Sequence, residues 1–148
     1  MLEGGCFCGF VRYETDAAPF QETNCHCSIC RRTSGAPYVA WFSVPATAFR
    51  FTASQPASLR SSEHGTRSFC PGCGTPLTFQ SSRSPDEIDV TTCSLDEPER
   101  VPPQDHTYVR SKLAWVELGD RLPGFAEARS QALRAGHVLP MRWGDTAR

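Results

Sequence analysis

The sequence predicts a mainly β domain of short antiparallel sheets with a short carboxy-terminal helix, and three observations carry that expectation. Short β-prone runs recur between Gly, Pro and Ser residues, and helical periodicity is scarce before residue 120. Seven of the eight cysteines also fall in three tight clusters, each lying beside such runs: Cys6-Phe7-Cys8, Cys25-His26-Cys27-Ser28-Ile29-Cys30 and Cys70-Pro71-Gly72-Cys73. Sulfurs at CxC and CxxC spacing point into one small volume, as a tetrahedral ion with metal–sulfur distances of about 2.3 Å requires.

Taken in order, the first candidate strand is Phe10-Val11-Arg12-Tyr13, directly after the first cysteine pair. Residues 38–44 follow the middle cluster, and residues 48–52 come after Pro45. Residues 58–62, 66–69, 77–80, 87–92 and 106–110 complete the set, so each cluster is expected in a turn beside strands. That arrangement resembles a zinc ribbon, where turns supply cysteine pairs and the metal fastens sheet edges. Pro98, Pro102 and Pro103 predict an irregular stretch, because proline removes a backbone donor and restricts the residue before it. After Pro123 and Gly124, residues 125–135 predict a helix with Phe125, Ala128, Ala132 and Leu133 near one face and Gly136 as its stop. The expected division is a zinc-binding β domain over residues 1–120 and an extension over residues 121–148 that carries the short helix.

At 148 residues the chain is long enough to bury an ordinary core, so metal would supplement that core. A formal net charge of -1 gives no general electrostatic reason to bind nucleic acid or an anionic membrane, and neither partner is expected. No apolar run approaches the roughly 20 residues needed to cross a bilayer. The first residues, Met1-Leu2-Glu3-Gly4-Gly5-Cys6, lack the charged and apolar regions of a secretory signal, so a cytoplasmic protein is expected. In such a reducing compartment thiolates survive to bind metal, and cysteines this close together are poor disulfide partners.

The clusters are unequal. Two of them offer two sulfurs each, enough together for one closed four-sulfur site, whereas the middle cluster offers three and leaves a fourth position for another ligand or a substrate. A closed site holds a fold, and an open one can do chemistry.

Three stretches carry a family resemblance: Gly5-Cys6-Phe7-Cys8-Gly9, Cys25-His26-Cys27-Ser28-Ile29-Cys30-Arg31-Arg32, and Phe69-Cys70-Pro71-Gly72-Cys73-Gly74-Thr75-Pro76-Leu77. With Glu87-Ile88-Asp89-Val90, Ser94-Leu95-Asp96-Glu97-Pro98 and Lys112-Leu113-Ala114-Trp115, the chain resembles the glutathione-dependent formaldehyde-activating enzyme family from about residue 4 to about residue 118. The resemblance implies an Mss4-like zinc-bound β fold with two zinc ions per chain. Cys6, Cys8, Cys70 and Cys73 would form the structural zinc site, and Cys25, Cys27 and Cys30 would hold a second, more labile zinc. The implied activity is that of a carbon-sulfur lyase or synthase that adds a thiol such as glutathione to formaldehyde or a related small aldehyde. A noncatalytic zinc module that binds a protein, and a zinc enzyme acting on another electrophile, are the alternatives.

The remaining candidates are single residues. Cys93 is either a fourth ligand for the middle cluster or an ordinary buried cysteine, the favoured reading. His26 is expected to point away from the metal into a surface or turn contact, and His64, before Gly65, into a hairpin. His106 resembles a family position near the second site and is a candidate for substrate contact, with a structural histidine the alternative. Arg31 and Arg32 are candidates to hold the carboxylates of a peptide-like thiol, against the alternative of surface charge. Trp41, Phe42 and Trp115 line either a cleft or the core.

Overall fold

Hairpins dominate the chain because its β-prone runs are short and the residues between them favour turns. The computed structural model describes residues 1–129, which fall into two units: Met1–Glu22 with Ala40–Pro102, and Thr23–Val39 with the residues from Pro103 onward.

In the first unit, β1 (Leu2–Gly5) pairs antiparallel with β2 (Arg12–Thr15), which pairs with the strand Phe49–Phe51, labelled β5 in chain order. Five more strands, β4 (Val39–Pro45), β6 (Ala57–Arg60), β7 (Gly65–Phe69), β8 (Pro76–Ser81) and β9 (Glu87–Thr91), form antiparallel neighbours in the order β4-β9-β8-β7-β6. The expected mainly β architecture is therefore observed. Val11, Tyr13, Phe42, Val44, Leu77, Val90, Leu95 and Val101 pack into one core, and Cys6 and Cys70 belong to the same cluster. Tyr13 ends against Ser94 with its hydroxyl 2.6 Å from Ser94 Oγ. A Cβ at Gly4 would lie 2.4 Å from that hydroxyl, so only glycine admits the contact.

One cross-strand row spans four strands: Arg67 faces Phe79, Phe79 faces Asp89, and Asp89 faces Ser43. The Arg67 guanidinium lies over the Phe79 ring at 4.8 Å and over Trp41 at 5.5 Å, while Ser43 Oγ donates to Asp89 at 2.6 Å. Burial pushes the Asp89 carboxyl up to about 6 in spite of the Ser43 hydrogen bond. Trp41 and Phe42 are core residues, whereas Trp115 is 70% exposed.

The second unit corrects three expectations. β3 (Phe20–Cys25) and β10 (Asp105–Thr107) pair in parallel, so the sheets are not wholly antiparallel. The middle cysteine cluster is not a simple turn, because Ser28–Ser34 form an α-helix, α1. Residues 125–128 are not helical. The chain there runs beside β10, with the Phe125 N–H donating to the His106 carbonyl at 2.7 Å and the His106 N–H to the Pro123 carbonyl at 2.8 Å. The parallel bridge between His106 and Gly124 keeps the chain extended there. Arg129 is helical, and residues 130–135 of the predicted helix lie outside the described residues. Among the described residues no helix is long and apolar enough to cross a membrane.

Candidate metal centres

The first cluster is assembled by two hairpin turns. Cys6 and Cys8 sit between β1 and β2, and Cys70 and Cys73 sit between β7 and β8. Both turns close in the same way: the Gly9 N–H donates to the Cys6 carbonyl at 3.0 Å, and the Gly74 N–H to the Cys70 carbonyl at 2.9 Å. Gly9 and Gly74 have φ of 78° and 76°, the left-handed region in which a side chain is strained. Thr75 bridges the two turns, since its hydroxyl oxygen accepts the Phe7 N–H at 3.1 Å and lies 3.1 Å from Cys73 Sγ.

The four sulfurs of this cluster lie within 4.8 Å of one another. Cys6 and Cys8 are 3.5 Å apart, and Cys8 and Cys70 are 3.7 Å apart. Sulfurs at about 2.3 Å from a tetrahedral ion stand about 3.8 Å apart, so the cage fits such an ion. The protons are already unevenly shared. Burial raises Cys6, but the Val11 N–H, 3.2 Å from its sulfur, and the neighbouring thiols bring it below its ordinary value. Hydrogen bonds from the Thr75 hydroxyl and backbone hold Cys73 down to about 6. The Phe10 backbone lowers Cys8, yet crowding by the other sulfurs drives it up to about 12. A divalent cation would relieve that crowding by ionising all four thiols.

The second cluster is built within six residues. Cys25 ends β3, Cys27 caps the amino terminus of α1 with its sulfur 3.2 Å from the Cys30 N–H, and Cys30 is buried on the helix. Gly35, with φ of 67°, ends that helix by donating its N–H to the Arg31 carbonyl at 2.8 Å. The three sulfurs lie within 4.8 Å of one another, and among the described residues no fourth Cys, His, Asp or Glu joins them. Hydrogen bonds from Cys25 and Cys30 pull the Cys27 thiol down to about 2, while the same neighbours push Cys25 up. One thiolate is thus strongly favoured, and the soft donor set suits zinc.

The single-residue candidates divide sharply. Cys93 is exposed in a 3-10 turn, Thr92–Ser94, of the first unit, which corrects its reading as an ordinary buried cysteine: Thr92, beside it, takes the inward position. His26 is fully buried, which corrects the expected surface contact. Its Nε2 lies 2.9 Å from Nδ1 of His106, and burial lowers it to about 4. His106 is also fully buried, with Nε2 3.0 Å from Asp120, so direct contact with a solvent-borne substrate is corrected to a structural place between two partners. The Arg31 guanidinium donates to the Ser111 carbonyl, which ties α1 to the 3-10 turn Val109–Ser111. Arg32 is exposed on the same helix. His64 lies in the β6–β7 hairpin, with Nδ1 3.2 Å from Ser82 Oγ.

Sequence reasoning missed the role of Asp120 and the pairing of His26 with His106. The two histidines stand 80 residues apart, and no local pattern announces that they meet.

The model of the family described as glutathione-dependent formaldehyde-activating enzyme matches residues 1–111. A Halomonas elongata protein with the provisional name glutathione-dependent formaldehyde-activating enzyme is 30% identical over 130 residues, covering 82% of this chain and 83% of that protein. The fold is similar to a crystal structure of a Rhodobacter sphaeroides protein, with a TM-score of 0.54 at 24% identity over 64% of this chain and 87% of that one.

Proposed function

Because this chain belongs to the glutathione-dependent formaldehyde-activating enzyme family, we propose that it joins a thiol such as glutathione to formaldehyde or a related small aldehyde at the Cys25, Cys27 and Cys30 cluster. Zinc is the proposed ion in both clusters, structural where Cys6, Cys8, Cys70 and Cys73 surround it and open where three sulfurs leave a corner. The observation that carries this reading is the inequality of the two clusters, four sulfurs against three. When bound at the second cluster, zinc would favour the thiolate of an incoming thiol, whose unperturbed pKa is about 8.5.

The proposed reaction balances without an oxidant. The thiol sulfur bonds to the carbonyl carbon, the C=O double bond becomes a C–O single bond, and the thiol proton ends on that oxygen. Arg32, exposed on the helix that carries Cys30, is the proposed anchor for a carboxylate of the thiol, with Arg31 beside it partly committed to Ser111. Their contribution is mainly positioning, because holding two reactants in line removes much of the entropic barrier to their meeting.

NMR exchange spectroscopy of glutathione with formaldehyde, with and without protein of measured zinc content, tests the proposal. Faster exchange in the presence of loaded protein is expected. No acceleration with both clusters loaded would remove the reaction.

A further inference from the structure

His26 lies between two candidate ligands, yet its ring faces a different set of groups. Its backbone N–H donates to the Thr107 carbonyl at 2.9 Å, and its side chain meets His106, the residue before Thr107 on β10. Beyond His106 stands Asp120, whose carboxylate oxygens lie 3.0 and 3.2 Å from His106 Nε2. Asp120 is itself fixed by the Leu122 N–H at 3.1 Å. Tyr38 packs against both rings, with centroids 4.9 Å from His26 and 6.3 Å from His106.

With both imidazoles neutral, this chain of contacts permits one arrangement of hydrogens. The carboxylate accepts, so His106 carries its hydrogen on Nε2 and presents Nδ1 as an acceptor. His26 must then donate from Nε2, which leaves its buried Nδ1 as a lone pair with no protein partner. An apolar ring could fill the same space without the cost of burying polar nitrogens. The directional chain supplies what packing alone does not, a fixed rotation of the His26 ring. Since His26 is joined covalently to both Cys25 and Cys27, and its peptide is pinned to β10, that rotation is coupled to the backbone that aims the two sulfurs.

We infer that Asp120, His106 and His26 are positioning residues for the three-sulfur cluster and set how tightly it retains its metal. The inference rests on the proposed metal role of that cluster. Partners behind a ligand commonly change metal affinity about 10- to 100-fold when removed. Here they act through the residue between two ligands rather than by touching a sulfur, so the low end of that range is expected.

The test uses the full chain loaded with cobalt(II), whose absorption reports the ligand field, and a chromophoric chelator that competes for it. The difference spectrum of Cys30→Ala identifies the second cluster's bands. His106→Phe keeps an aromatic ring but breaks both hydrogen bonds, and Asp120→Ala cuts the chain at its partly exposed end should the first variant fail to fold. Roughly tenfold faster release from the second cluster with unchanged release from the first is expected for each. Asp120→Asn keeps an acceptor for His106 and should stay near the parent. Unchanged retention in a folded variant, or equal loss from both clusters, would overturn the inference. Because release is read without thiol or aldehyde, failure of the proposed reaction remains a separate result.

Discussion

The two cysteine clusters are built on opposite plans. The first joins distant parts of one unit, since Cys8 and Cys70 are 62 residues apart, and its two turns repeat the same glycine-closed geometry. The second gathers its sulfurs from a strand end and one helical turn, with a pair of buried histidines behind them. An ion in the first cluster would close a long loop and join the core through Cys6 and Cys70. An ion in the second would close almost none, so little folding energy depends on it. The difference teaches where stability and chemistry are free to separate: sulfurs far apart in sequence serve the fold, and sulfurs close together can serve a reaction.

Paired substitutions test that division most severely. Structural zinc contributes on the order of 10 kcal/mol in small zinc-dependent peptides, so Cys70→Ala should abolish cooperative folding, read as loss of the thermal unfolding transition. Cys30→Ala should unfold within a few degrees of the parent while losing the second cluster's metal and all acceleration of thiol–aldehyde exchange. If Cys30→Ala unfolds the chain and Cys70→Ala does not, the two roles have been assigned the wrong way round.

The sequence already displayed the strands rich in β-branched and aromatic residues between turn signals. Residues 38–44 were expected as a strand and Val39–Pro45 form β4. It hid β1 and β3, because Leu-Glu-Gly-Gly carries little β propensity and Gln21, Glu22, Thr23 and Asn24 make β3 polar. Pairing with Thr15 to Arg12 in one case, and with β10 in the other, overrides those local preferences. The helix α1 escaped notice because seven residues are too few to show a period, although Gly35 supplied a stop signal. The sulfur groupings were visible in the spacing, whereas the surroundings of His26 depend on which strand lies beside it. A residue between two metal ligands faces away from them, but only the fold decides whether that direction leads to solvent or to another histidine.

A smaller perturbation in the first unit, touching neither cluster, separates fold stability from metal retention. Asp89 has its pKa raised from 3.8 to about 6 by burial, so between those values the native chain binds more protons than the unfolded one. Stability from this group is full below the unfolded value and is lost as pH rises through about 6. Asp89→Asn retains an acceptor for Ser43 and removes that loss, which should add up to about 3 kcal/mol above neutral pH and nothing in acid. Urea unfolding at both pH values measures it. A variant that gains equally at both would show that ionisation is not the cause.

The smallest effect concerns the bridge between the two hairpin turns. Thr75 accepts the Phe7 N–H and directs its own hydroxyl to Cys73, and these contacts help hold that thiol down to about 6. Thr75→Val keeps the shape and removes the oxygen. Cys73 then loses its chief stabilising partner for the thiolate, so protons compete better with metal at the first cluster as pH falls. Release of metal from that cluster in mild acid should quicken by about tenfold or less, while the second cluster keeps its own rate. The site is exposed at Cys73, so solvent supplies a replacement hydrogen bond and limits the effect. Equal quickening at both clusters would mean that Thr75 supports the fold as a whole. Quickening at the first alone would show that Thr75 tunes that cluster independently of the second.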